Sequence, residues 1–175
     1  VAYYDDRGKG LDAIGDALAQ ALTTLAANHP PKNASLDIVA HSMGGIVSRL
    51  AINKLTQKGA IGVIGTLESE DIKSFVNIKV HSIDTPWDGY NHEPEIPVLG
   101  AVIRPLIKFI MTLFGWRSAF DMRANSKVFA SLYATPLTGV SFRYIVATQK
   151  DGSDHVRCLE DLHPQEKRDV ARFVE

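Results

Sequence analysis

The apolar positions of this chain switch between two periods. Leu11, Ile14, Leu18, Leu22 and Leu25 recur at steps of three and four, the stripe of an amphipathic helix that must stop before His29-Pro30-Pro31. Ahead of it, residues 1–4 read as a short strand and residues 5–10 as a polar turn. Ile38-Val39-Ala40 is the continuous apolar run of a strand buried on both faces, and Ile46, Val47, Leu50, Ala51 and Leu55 then return to helical spacing across residues 44–58. Residues 75–83 and 140–148 read as further core strands, and residues 126–132 as a short helix. The glycine-punctuated stretch 59–66 and the acidic, polar stretch 67–73 are assigned to no element. Strand, helix, strand, helix in this order, joined by right-handed crossovers, predicts an α/β fold: a parallel sheet covered by helices on both faces.

Residues 90–140 separate two predicted strands by about fifty residues, where a connection of this kind usually takes two to six, so something is inserted there. The middle of the insertion, residues 101–116, is almost wholly apolar, broken by Arg104 and Lys108, with Thr112 completing a polar stripe at steps of four. Pro105 suits a first helical turn, so a helix from there to Phe114 would carry one narrow cationic edge and a broad apolar face. Such a helix would suit a cap laid over the fold by its apolar face, and Arg104 and Lys108 suit contact with lipid head groups. The segment is short and twice charged, which argues against a membrane span.

Length and composition fit a single domain with a core: 175 residues, 45% of them hydrophobic. Nineteen basic residues against 20 acidic leave a net charge of -1, and no basic stripe suggests nucleic acid as a partner. The one cysteine, Cys158, has no internal partner for a disulfide.

The chemistry concentrates at the junction after Ile38-Val39-Ala40. Ser42 stands where the strand pattern gives way to the helix pattern, with the small residues Ala40 and Gly44 two positions to either side. A serine hydroxyl is a poor nucleophile, and a tight strand-to-helix turn is one way to lift it out of a sheet toward a base and oxyanion donors. Such a turn brings those flanking residues together, hence their size. Gly45 lets the helix pack closely, and the Met43 N–H at the helix start faces where an acyl oxyanion would develop.

The run A-H-S-M-G-G resembles the nucleophile elbow of the α/β-hydrolase superfamily, in its lipase and esterase branch, with Ala40 in place of the usual first glycine. Thr85, Pro86 and Gly89 resemble the T-P-x-x-G turn that commonly follows the next strand there. The resemblance implies a serine hydrolase that cleaves carboxylic esters, lipid or other long-acyl esters above small ones, through an acyl-enzyme on Ser42 and without metal or organic cofactor. It also implies a chain trimmed at its front, because only 35 residues precede Leu36, and a second oxyanion donor in the missing part.

For the acid, Ser153-Asp154-His155-Val156 resembles the turn that carries it after the strand at 140–148. Asp154 is the first candidate, Asp151 the second, and Asp84, after the preceding strand, the rival. The superfamily order of serine, acid, histidine leaves His155 and His163 as bases within the chain. If residues 164–174 form the last helix, His163 stands where the base stands. If residues 169–174 begin another parallel strand, the base lies beyond Glu175. His41, beside the nucleophile, is expected to pack rather than titrate. A module that keeps the fold without a working triad, binding an apolar ligand or partner, is the competing reading.

Overall fold

The structure is a computed structural model that describes residues 8–28, 35–57, 77–89, 118, 121–134, 137, 139–148 and 167–174. Three helices and four strands make up the regular elements among them. In chain order these are α1 (Leu11–Asn28), β1 (Ser35–His41), α2 (Met43–Gln57), β2 (Asn77–Ile83), α3 (Lys127–Leu132), β3 (Val140–Thr148) and β4 (Lys167–Val174). The strands form one sheet in the order β1-β2-β3-β4, every neighbouring pair parallel. Parallel pairing cannot be closed by a hairpin, so each connection must cross the sheet, and every strand delivers its carboxyl end to the same rim.

One face of the sheet is built from in-register apolar rows: Leu36, Ile78 and Val140; Ile38, Val80 and Phe142; then Ala40, Ser82 and Tyr144 at the rim. On that face lies α2, buried almost all round through Ile46, Val47, Leu50, Ala51, Ile52 and Leu55, because it sits between the sheet, α1 and α3. The large residues of α1 only partly define its contact. Leu11, Ile14 and Leu22 are buried, but Leu25 is exposed, and the buried stripe runs through Gly15, Ala19 and Ala26. Small side chains mark the line where two helix backbones approach most closely, and a reading weighted to leucine misses it. Lys54 of α2 fastens the outer edge, 2.8 Å from Asp16 and donating to the Asp12 carbonyl of α1.

The opposite face corrects one expectation. Strand geometry sends alternate residues to opposite sides, so Val39 points away from Ile38 and Ala40, and it is 70% exposed. Its row continues through His81 and Arg143, and the row below it is Asp37, Lys79 and Ser141. These positions are exposed or half-buried, and α2 packs on the other face. The apolar run at 38–40 therefore marks a strand buried on one face and not on two. His41 belongs to the same outward face and is exposed, which overturns the expectation that it packs.

Residues 121–134 belong to the body of the fold. Asp121 accepts from the Leu11 N–H at 2.8 Å, placing a carboxylate on the positive end of α1. Ser126 caps α3 by accepting from the Phe129 N–H. Arg49, fully buried in α2, donates through Nε to the Leu132 carbonyl at 3.1 Å and lies 5.2 Å and 5.1 Å from the ring centres of Tyr133 and Phe142. A planar guanidinium can serve a carbonyl and two aromatic faces at once, so this one cation joins α2, α3 and β3. The predicted cap segment, residues 101–116, lies outside the described residues, as do residues 1–7.

Candidate active site

β1 ends at His41, and Ser42 turns the chain with φ of +51° before α2 starts at Met43. A left-handed conformation costs a residue with a Cβ roughly 1–2 kcal/mol, so the surroundings must hold it. They do so from both sides: the Ser42 N–H donates to the Ile83 carbonyl of β2 at 2.9 Å, and the Ser42 carbonyl accepts from Gly45 N–H at 3.1 Å. Ser42 thereby leaves the sheet at the carboxyl rim, half-buried, with α2 starting under it. Met43 is the first residue of α2, so its N–H has no carbonyl four residues back within the helix to serve.

The two glycines of the elbow do different work. A Cβ at Gly44 would meet Ala40 Cβ at 3.6 Å, an ordinary contact, so the flanking pair does approach as the spacing predicts but leaves room for a methyl. A Cβ at Gly45 would stand 2.3 Å from Thr85 Oγ1, 2.7 Å from its Cγ2 and 2.9 Å from its Cβ. Gly45 is thus obligatory because Thr85, buried in the turn after β2, presses on the first turn of α2. Thr85 Oγ1 finds no hydrogen-bond partner among the described residues, consistent with a side chain placed there for its shape.

The turn after β2 is held as firmly as the elbow. Asp84 has φ of +49°, and it and Ser42 are the two non-glycine residues with positive φ among the described residues. They are also neighbours, since His41 and Ile83 pair in register and each strand kinks at the next residue. The Asp84 N–H still donates to the Ile145 carbonyl of β3 at 2.8 Å, and its Oδ1 accepts from the Ala147 N–H at 3.3 Å. Beyond it, Trp87 is buried edge-on to Phe142 and Tyr144, and its carbonyl accepts from Tyr133 Oη at 2.5 Å. Gly89, at φ of +71°, closes the turn where a Cβ would lie 2.6 Å from the Met122 carbonyl oxygen. The Thr85, Pro86 and Gly89 pattern is therefore a packed hinge between elbow, sheet and α3.

Asp151, Asp154, His155 and His163 lie outside the described residues. What is described is β4: Lys167–Val174 pairs in parallel with residues 141–148 of β3. The chain after His163 therefore enters a strand instead of the terminal helix that would have set His163 at the rim. Among the described residues no group of three or more His, Cys, Asp or Glu side chains could hold a metal ion. No helix among them is long and apolar enough to cross a membrane.

Sequence reasoning picked out Ser42, Met43 and Gly45 but not the support of Thr85 beneath them or the kink shared by Ser42 and Asp84. A signal existed for both. Aspartate tolerates the left-handed region better than most residues, and a β-branched residue directly after it, ahead of proline, suits a rigid buried turn.

No curated protein matches the chain. A solved structure described as "RedJ with PEG molecule bound in the active site" aligns with 94% of this chain and 63% of its own, at 15% identity and a TM-score of 0.46. A second, a covalent complex of the NocB thioesterase domain with a fluorophosphonate nocardicin G analog, aligns with 95% and 65% at 13% identity and a TM-score of 0.47. The chain thus spans less than two thirds of the length of either. Residues 3–117, which contain the whole elbow, match the family described as "Putative serine esterase (DUF676)". By that match over most of its length, the chain belongs to this family, and the strained serine between a parallel strand and a helix lies within the matched residues.

Proposed function

We propose that the protein is a serine hydrolase that cleaves carboxylic esters through an acyl-enzyme on Ser42. The observation that carries this is the left-handed Ser42 at the carboxyl rim, clamped between the Ile83 carbonyl and the first turn of α2. Ser42 Oγ attacks the ester carbonyl while a histidine takes its proton, and the Met43 N–H donates to the oxyanion that forms. The tetrahedral adduct collapses, the alcohol leaves with the proton from the histidine, and water repeats the sequence on the acyl-enzyme to release the acid.

Asp154 is the proposed orienting carboxylate, with Asp151 second, because both follow β3, whose carboxyl end opens on the same rim as Ser42. β4 favours a base that follows that strand, as the superfamily order implies, and His163 is the alternative base within these residues. His163→Ala separates the two: a loss of about 10³-fold or more in kcat keeps the base at 163, and a wild-type kcat moves it past β4.

The proposed substrates are lipid or other long-acyl esters, with the 101–116 segment of the insertion as a cap toward acyl chains or a lipid surface. Its apolar sequence and the Arg104 and Lys108 edge support this. Fluorophosphonate labelling with Ser42→Ala as blank tests the nucleophile, and absence of a Ser42-dependent adduct would favour a non-catalytic module. Nitrophenyl esters of rising chain length test the cap. Rates falling steadily from acetate onward would count against it.

A further inference from the structure

We propose that Asp84 is a positioning residue of this site, setting the height of β3 against Ser42, and is not the carboxylate that orients the base. The inference rests on the serine hydrolase reading above. In a parallel ladder a residue on one strand donates through N–H to one neighbour of its partner and accepts through its carbonyl from the other. Asp84 makes the first bond from its backbone, to the Ile145 carbonyl at 2.8 Å. Its left-handed kink turns the chain before the second, and Oδ1 receives the Ala147 N–H at 3.3 Å instead. The side chain thus stands in for the main-chain carbonyl that β2 would have presented had it run one residue further.

Position makes that substitution matter. Ala147 is one residue from the end of β3, and the proposed acids Asp151 and Asp154 follow Thr148 in the chain. Asp84 itself follows Ile83, whose carbonyl holds the Ser42 N–H. One dipeptide, Ile83-Asp84, therefore grips the nucleophile's backbone on one side and the carboxyl end of β3 on the other. Asp84 Oδ1 serves this bridge by accepting from a backbone N–H of β3. Misplacement of catalytic groups by about 1 Å costs on the order of 100-fold, so a loosened bridge should be visible in kcat.

The test uses the full chain with Asp84→Asn and Asp84→Gly, and Ser42→Ala as blank. Asparagine keeps the acceptor oxygen and the tolerance for positive φ while removing the charge. Glycine keeps the backbone conformation and removes the acceptor. Expected are a kcat for D84N within about threefold of wild type with an unchanged pH profile, and for D84G a kcat lower by roughly 10- to 100-fold at little-changed KM. A fall of about 10⁴-fold in D84N would overturn the proposal and make Asp84 the orienting acid. Wild-type kcat in D84G would overturn it by showing that the bridge sets nothing. Should D84G not fold, D84N alone decides between tie and acid. If wild type shows no Ser42-dependent labelling, it is the hydrolase reading that has failed. Amide exchange at Ala147 then decides: protection in wild type and D84N with tenfold faster exchange in D84G supports the bridge, and equal exchange in all three overturns it.

Discussion

Gly45→Ala probes the contact on which the elbow depends. The added methyl would sit 2.3–2.9 Å from three atoms of Thr85, whereas carbon atoms rest at about 3.5–4.0 Å. Rotating Thr85 about χ1 moves Oγ1 and Cγ2 but leaves its Cβ at 2.9 Å, so relief requires the backbone of the turn or of α2 to shift. Overpacking of this kind costs about 1–3 kcal/mol, and alanine returns up to about 1 kcal/mol of helix propensity. Gly44→Ala, whose methyl meets only Ala40 Cβ at 3.6 Å, gains a similar propensity without the clash. The difference between the two variants isolates the steric term at about 1–3 kcal/mol, or roughly 2–12 °C in melting midpoint for a chain of this size. Circular dichroism melts measure it, and the rate of fluorophosphonate labelling at Ser42 reports the same shift at the nucleophile. G45A/T85A, which removes the atoms at 2.3 and 2.7 Å but keeps the Cβ at 2.9 Å, should recover only part of the loss. Midpoints for G45A and G44A within 1–2 °C of each other would refute the idea that Thr85 sets how closely α2 approaches the sheet.

Four further outcomes are expected. Ser42→Gly should be more stable than Ser42→Ala by roughly 1 kcal/mol in urea melts, since only glycine relaxes at φ of +51°; equal stabilities would remove the case for strain. Arg49→Lys keeps the charge but loses the fork that serves the Leu132 carbonyl and the two rings, and should cost about 1.5–3 kcal/mol; an unchanged midpoint would show that the charge alone suffices. Thr85→Val replaces a buried, unpartnered hydroxyl with an isosteric methyl and should be neutral or stabilising by about 1 kcal/mol, with a clear loss pointing to a partner for Oγ1. Val39→Thr, on the open face, should change stability by less than about 0.5 kcal/mol; a cost above roughly 1 kcal/mol would mean that face is covered.

Periodicity proved a good guide wherever one face of an element meets one surface. The extent of α1, the spacing of α2 and the bounds of β3 at Val140–Thr148 could all be read from the chain. It misled at Val39, where three consecutive apolar residues concealed an ordinary alternation. It was silent on Arg49, because nothing local shows that a cation inside a helix will be enclosed by aromatic rings more than 80 residues away. At the site, Ser42 was legible because its chemistry and its geometry lie within six consecutive residues. Thr85 and Asp84 act on the elbow across a strand pairing, and register is a property of the assembled sheet.

Trp87 gives the rim an optical readout of its own. The indole is sealed against Phe142 and Tyr144, and its peptide carbonyl is bonded to Tyr133, so its emission senses how tightly the hinge beneath the nucleophile is closed. Trp116 is the other tryptophan, and replacing it by phenylalanine leaves a single indole, excited apart from the five tyrosines at long wavelength, at the point where elbow, sheet and α3 converge. Loosening of that junction then becomes a change of colour, recorded in the same cuvette as turnover.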